Sequence, residues 1–368
     1  MAEAKPPACE GEALARARAL AQAAGFLGEA MTAEEPYRLR VDVEQCRLVA
    51  ERLRSLRVHP DRYLKRPADD ATRREYANYW FYITAICQST RTFQGIIGGR
   101  RVRGWDYLVE ASLGRAQDCT AERMLSYTAD DLRSLLSDDL NPAHSPIDRV
   151  EERVDQLHDC ARRLLDIYQG QAMGVFERAE GRLSDNGGLL DLLAQFKAYA
   201  DPMRKKSVLL VGMLHEIGVW PLRDPQNLKV AMDYHAMRVA LRSGIVELTD
   251  AGLADDLRAQ RPVSAEQNQA VRTAVSAACD ILVAESGLSV FALDKLIWHL
   301  GRSCCFYEHD PICGPGLATR CFKRNTCTFV QATTYHCSNA CALDGVCRGS
   351  RDEAHRALWE TNIYTPDY

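Results

Sequence analysis

Between residues 43 and 304 this chain repeats its apolar residues with the period of an α-helix almost without interruption, and strand alternation is nearly absent. Periodic stretches run Val43 to Leu56, Glu75 to Arg91, Ala121 to Leu136, Ile147 to Tyr168, Gly188 to Tyr199, Arg204 to Ile217, Asp233 to Ser243, Ala265 to Glu285 and Phe291 to Cys304. Breakers such as Asn141-Pro142-Ala143-His144-Ser145-Pro146 and Asp185-Asn186-Gly187-Gly188 mark loops between them. The pattern predicts an all-α, orthogonally packed body over residues 36–304. An Ala- and Glu-rich leader precedes it at 1–35, and a segment of different composition follows at 305–368. A chain of 368 residues is long enough for two or three subdomains with sizeable cores.

Within the body, one lysine sits where an oily residue is expected. Leu209, Leu210, Met213 and Ile217 follow Lys206 on its own helix face, whereas Lys205 points elsewhere. After a Gly/Pro-punctuated connection, Asp233 precedes a second periodic stretch that stops at Gly244. Asp233 therefore reads as a helix N-terminus and Gly244 as a C-cap, giving an αα-hairpin over about 204–244. Desolvation lowers the pKa of an ammonium and makes its amine nucleophilic, while the positive end of a helix dipole holds a carboxylate ionised. Together the two suit Schiff-base or N-glycosidic chemistry. Taken singly, lysines at face boundaries usually snorkel, and N-terminal aspartates are usually plain caps.

The net charge of −4 excludes a general polyanion sponge but allows a local basic groove. Arg100, Arg101 and Arg103 form one basic cluster, Arg204, Lys205 and Lys206 a second, and Lys323 with Arg324 a third. The N-terminus has no basic region followed by an apolar run, and no stretch approaches a membrane span. The expectation is a cytoplasmic monomer that uses no membrane. In that compartment the fourteen cysteines are thiols or metal ligands rather than disulfides.

Eight of those cysteines fall between 304 and 347. From Cys313 the spacing is C-x7-C-x5-C-x9-C-x3-C-x5-C, in a Gly, Pro, Asn and Thr-rich segment poor in core-forming residues. Thiolate-only ligation suits structural zinc or an iron–sulfur cluster. The stretch Cys337-Ser338-Asn339-Ala340-Cys341-Ala342-Leu343-Asp344-Gly345-Val346-Cys347 resembles the closing C-x2-C-x5-C of the cluster loop in endonuclease III-type glycosylases, with one residue inserted. The expected cofactor is a [4Fe–4S] cluster on Cys327, Cys337, Cys341 and Cys347, with Cys313 or Cys321 as alternative ligands and zinc as the alternative metal. Cys46, Cys87, Cys119, Cys160 and Cys279 sit in helical patterns and read as buried small residues.

Three segments resemble the archaeal GO glycosylases, a branch of the helix-hairpin-helix DNA glycosylases that removes 8-oxoguanine. The first runs from Thr90 to Leu108 and ends in Trp105-Asp106-Tyr107. The second is the Lys206 helix leading to Val230-Ala231-Met232-Asp233-Tyr234-His235. The third is Leu293-Asp294-Lys295-Leu296-Ile297-Trp298-His299-Leu300-Gly301-Arg302. Together they cover about residues 75 to 305. The resemblance implies a helix-hairpin-helix fold acting on double-stranded DNA with a modified base. Lys206 would be the nucleophile and Asp233 the essential carboxylate. Trp105, Trp298, Leu210 and Asp294 would form the base pocket, and Arg100, Arg101, Arg103 and Lys205 would contact DNA. A Schiff base on Lys206 would add strand scission to base removal.

Two other readings stand beside this one. The queuosine salvage glycohydrolases resemble the same helical family and hydrolyse a small nucleotide with an aspartate in an Ala-Asp-Tyr-Arg run. A non-catalytic binding module with an architectural metal centre would make Lys206 dispensable.

Overall fold

The computed structural model describes residues 15, 17–19, 39–184, 187–306, 311, 313, 321 and 327–368. Nearly all of the 1–35 leader, and the Lys323 and Arg324 cluster, lie outside the described residues. The described chain is mostly helical, as its periodicity predicts. In chain order the elements are β1 (Leu39–Val41), α1 (Val43–Arg54), α2 (Asp70–Ala85), β2 (Gln94–Ile97), β3 (Arg100–Arg103), α3 (Trp105–Ser112), α4 (Ala121–Leu125), α5 (Ala129–Leu135), α6 (Val150–Tyr168), α7 (Ala172–Arg178), α8 (Leu189–Leu193) and α9 (Lys205–Glu216). There follow α10 (Tyr234–Ser243), β4 (Val246–Leu248), α11 (Ala251–Arg258), α12 (Ala265–Ser286), α13 (Val290–Arg302), α14 (Thr328–Ala332) and α15 (Glu353–Arg356). No single helix among the described residues is long and apolar enough to cross a membrane.

These elements form two compact units; the chain passes from the first to the second and back, and residues 365–368 belong to the second again. The first contains residues 1–60 and 229–364, the second residues 61–228 and 365–368. The linear body at 36–304 therefore contributes to both. In the first unit α1 packs on α12 and α10 on α13, while β1 pairs antiparallel with β4, Leu39 opposite Leu248 and Val41 opposite Val246. The cysteine-rich segment belongs to this unit, with α14 against α13 and α15 against α10.

In the second unit α2 packs on α9, α6 and α7, and α4 on α6. A hairpin of β2 and β3 interrupts the helices, pairing Gln94 with Arg103 and Ile97 with Arg100. Its two-residue turn is Gly98-Gly99, both at positive φ (58° and 73°). A primed hairpin turn needs that conformation at both positions, and glycine supplies it without steric cost. The periodic stretches leave residues 92–120 without an element, and strands of four residues are too short to display alternation.

The predicted helix ends hold where a capping side chain fixes them. Ser264 and Gln267 close a capping box at the start of α12, and Gly287 ends it in the left-handed region at φ 68°. The predicted Ala121–Leu136 helix instead divides into α4 and α5. There the Thr128 hydroxyl accepts from the Asp131 amide while the Asp131 carboxylate accepts from the Thr128 amide, and this second capping box restarts the chain.

Candidate functional site

The Lys206 helix is more deeply enclosed than its face pattern suggests. On α9 the side chains of 205–208 and 210–214 are all buried. Arg204 enters the helix from the left-handed region at φ 57°. Lys206 is 0% exposed, and its Nζ donates to the Ala85 carbonyl oxygen at 2.6 Å and to Gln88 Oε1 at 2.9 Å. Ala85 is the last residue of α2, so the ammonium satisfies a carbonyl that the helix leaves without an intrahelical donor. A second fully buried cation works beside it. Arg153 donates to the carbonyls of Ile86 and Gln88 and pairs with Asp148 at 2.7 Å. Burial pulls the Lys206 pKa down to about 8, with Cys87 opposing that change and the Lys205 charge adding to it.

Lys205 is buried as well, at 7% exposure, with its Nζ 3.7 Å from Cys87 Sγ. This corrects its expected role as a DNA contact: an ammonium enclosed in the second unit has no surface to offer a phosphate. Leu210 is corrected in the same way. At 0% exposure it is part of the closed core behind Lys206, not the wall of an open base pocket. The signal for both was present in the run Val208-Leu209-Leu210-Val211, which is apolar on every face.

The other expected residues of the second unit lie on β3 and α3. Trp105 opens α3, half-buried, and stacks on the buried Trp80 with ring centroids 6.1 Å apart and planes 15° from parallel. Arg100 and Arg101 are exposed. Arg100 pairs with Glu110 at 2.9 Å and Arg101 donates to Gln94 Oε1 at 3.0 Å. Arg103 is half-buried on the same strand.

Asp233 belongs to the first unit, so the expected amine and carboxylate are not a pair within either unit. The helix break predicted there is present. Asp233 caps α10, its Oδ1 accepting the amides of His235 at 2.8 Å and Ala236 at 3.0 Å, and Gly244 ends the helix at φ 79°. The extended stretch before the cap is braced from two sides. Asp294 Oδ1 accepts the Ala231 amide at 2.9 Å, and the buried Arg272 donates to the Met232 carbonyl at 3.2 Å. Asp294 thus holds the backbone that leads into Asp233.

One turn along α13, Trp298 meets the His235 ring edge-on, centroids 6.4 Å apart and planes 88° from parallel. The Arg302 guanidinium lies 4.2 Å from the Trp298 ring centre. The structure therefore brings together Asp233, Asp294 and Trp298 through residues the sequence reading did not single out: His235, Arg272 and Arg302. A further one is Arg238. Fully buried, it donates to His235 Nδ1 at 3.0 Å and to the Gly301 carbonyl at 2.8 Å, and pairs with Glu360 at 2.7 Å. Accepting that bond leaves Nδ1 unprotonated, which assigns the proton of a neutral His235 to Nε2. Gly301 makes the approach of α13 possible, because a Cβ there would stand 2.7 Å from His235 Cβ.

The expected metal quartet does not assemble. Cys337 is exposed and bonded within its own turn to the Ala340 carbonyl at 3.8 Å, and Cys327 sits at the N-terminus of α14. Among the described residues no group of three or more His, Cys, Asp or Glu side chains is placed to hold a metal ion. Cys46, Cys87, Cys119, Cys160 and Cys279 are buried free thiols, as their helical positions predict.

No family model matches this chain, and no curated protein matches it closely enough to indicate relationship.

Proposed function

We propose that this chain is an N-glycosidase whose essential carboxylate is Asp233 and whose nucleophile is water. The observation that carries this reading is the enclosure of Lys206: an amine with no exposure and two acceptors already bound is a helix cap, not an attacking group. What remains is a carboxylate held in one orientation by two amides, with Trp298 one helix turn from the aspartate that braces it. Such a carboxylate stabilises the positive charge that develops at C1′ as the base departs, and takes the proton of the water that adds there. Trp298 supplies an aromatic surface for the base, with Arg302 over its ring.

Of the two substrate classes expected from the sequence, enclosure of both lysines favours the small-nucleotide glycohydrolase of queuosine type, which needs neither an amine nor Lys205 at a phosphate. The second reading, removal of an 8-oxoguanine-like base from duplex DNA without strand scission, is favoured by Arg100 and Arg101, exposed on the β2–β3 hairpin. The discriminating experiment incubates the protein with queuosine-type and unmodified nucleoside monophosphates, and separately with an 8-oxoguanine duplex, and measures free base by chromatography. Release from a monophosphate, abolished in Asp233→Asn, supports the first reading. Release from the duplex alone supports the second, and no Asp233-dependent release from either removes the N-glycosidase assignment.

A further inference from the structure

The turn that ends α2 is held by a buried cation at each of its residues from 85 to 88. Lys206 Nζ donates to the Ala85 carbonyl and to Gln88 Oε1, and Arg153 donates to the Ile86 and Gln88 carbonyls. Between them, Lys205 Nζ stands 3.7 Å from Cys87 Sγ. Gln88 Nε2 donates in turn to Gln156 Oε1 on α6 at 2.9 Å. Cys87 thus lies in a stretch fixed on both sides, with its sulfur against an amine of α9.

Two independent observations set this pair apart. The first concerns the sulfur. Burial pushes the thiols of Cys46, Cys119, Cys160 and Cys279 upward, Cys119 to about 12, and a thiol held protonated in this way is inert. Cys46 bonds a carbonyl, that of Ala278, whereas Cys87 receives a primary amine on its sulfur. The second concerns the amine. Among the described residues the Nζ of the buried Lys205 has the Cys87 sulfur as its partner and no carboxylate at ion-pair distance. A lysine buried to this degree is ordinarily paired with an anion, so a reaction that discharges this amine relieves an uncompensated charge. With Cys87 at 4% exposure and Lys205 at 7%, the pair lies at the margin of the core, a short path for a small oxidant.

We propose that Cys87 and Lys205 form a reversible, hydroperoxide-driven sulfur–nitrogen crosslink that fastens α9 to the turn after α2. In the first step the Cys87 sulfur attacks the terminal oxygen of a hydroperoxide. The O–O bond breaks, an S–O bond forms, and the thiol proton goes to the departing oxygen, which leaves as an alcohol or water; Cys87 is then a sulfenic acid. In the second step Lys205, having given its extra proton to solvent, attacks the sulfur through its nitrogen lone pair. The S–O bond breaks, an S–N bond forms, and the departing hydroxide takes a proton from the nitrogen and leaves as water. The sulfur has lost an electron pair and the peroxide bond has gained it. The 3.7 Å gap closes by rotation of the lysine stem, which is long and flexible. The linked nitrogen carries no charge, so the uncompensated cation is gone. A thiol in solution reverses the link: it attacks the Cys87 sulfur, releases the amine, and a second thiol frees Cys87 from the mixed disulfide.

The test treats the full chain with hydrogen peroxide at neutral pH, blocks the remaining thiols, and maps the products by proteolysis and mass spectrometry. The expected result is a species joining the Cys87 and Lys205 peptides, lighter than their sum by the hydrogens the oxidant removes, and lost when the sample is reduced with dithiothreitol. Cys46, Cys119, Cys160 and Cys279 should remain free thiols. Lys205→Arg keeps the cation without a competent amine, so it should form no link, and dimedone should capture the Cys87 sulfenic acid instead. Cys87 that stays a free thiol while the exposed Cys337 is oxidised overturns the proposal. So does wild-type Cys87 that is oxidised with Lys205 unlinked, or joined to another residue. These outcomes are read on the wild-type chain, so they decide the matter even if Lys205→Arg does not fold.

Discussion

The Nζ of Lys206 stands 2.6 Å from the carbonyl oxygen of Ala85, the final residue of α2. This bond turns the most suggestive residue of the sequence into part of the scaffold. Lys206→Met should leave the Ala85 carbonyl without a donor and destabilise the protein by about 1–3 kcal/mol, read by chemical denaturation. Base release per folded molecule should stay within a few-fold of wild type. A loss of several hundred-fold in a variant that remains folded would return Lys206 to the reaction.

The same burial makes a pH-dependent prediction. The folded amine titrates at about 8 and an ordinary lysine at 10.5, so across that interval the unfolded chain binds more protons. Stability from this group is therefore lowest below pH 8 and rises toward pH 10.5. The difference in unfolding free energy between wild type and Lys206→Met should move in favour of wild type across this window, by an amount on the order of 3 kcal/mol. A difference that is flat with pH would mean the buried amine titrates normally.

Gly301 sets the contact between α13 and α10. Gly301→Ala places a methyl group 2.7 Å from His235 Cβ, an overpacking that should cost about 1–3 kcal/mol. Because His235 follows the Asp233 cap by two residues, base release should fall more in this variant than in Gly287→Ala, where a Cβ meets nothing within 4 Å and the cost comes instead from a left-handed backbone at φ 68°. Equal effects would show that the approach of α13 is unrelated to the site.

The buried pair of Arg238 and Glu360 holds His235 from behind. Glu360→Ala leaves a fully buried guanidinium without its carboxylate, and such a change should destabilise the protein by about 3–5 kcal/mol. Glu360→Gln, which keeps an acceptor, should recover much of that loss in thermal unfolding. If Gln is no better than Ala, packing rather than charge holds Glu360 in place.

What the sequence made legible follows from how local each signal is. Asp233 and Gly244 bracket α10 because capping depends on residues within one turn, and the helices of the two units emerge wherever a stripe repeats. The β2–β3 hairpin escaped because its evidence is the φ of two adjacent glycines, Gly98 and Gly99. The Lys206 contact could not be read from its own helix, since its partners Ala85 and Gln88 lie more than a hundred residues away. Spacing and the cluster-loop resemblance chose Cys327 and Cys337, whereas the fold leaves Cys337 exposed and bonded within its own turn to the Ala340 carbonyl. The Asp294 and Trp298 pair on α13 was visible as neighbours one turn apart. Their relation to Asp233 depends on the bond from Ala231, a backbone amide that no side-chain pattern reports.

The most direct test of an Asp233-dependent hydrolysis is borohydride reduction during turnover of a substrate that releases base. The account predicts no covalent protein–sugar adduct by mass spectrometry, together with loss of base release by about a thousand-fold in Asp233→Asn. Asn should still cap α10, so that variant should melt within a few degrees of wild type. A reduced adduct on Lys206, absent from Lys206→Gln, would contradict the account.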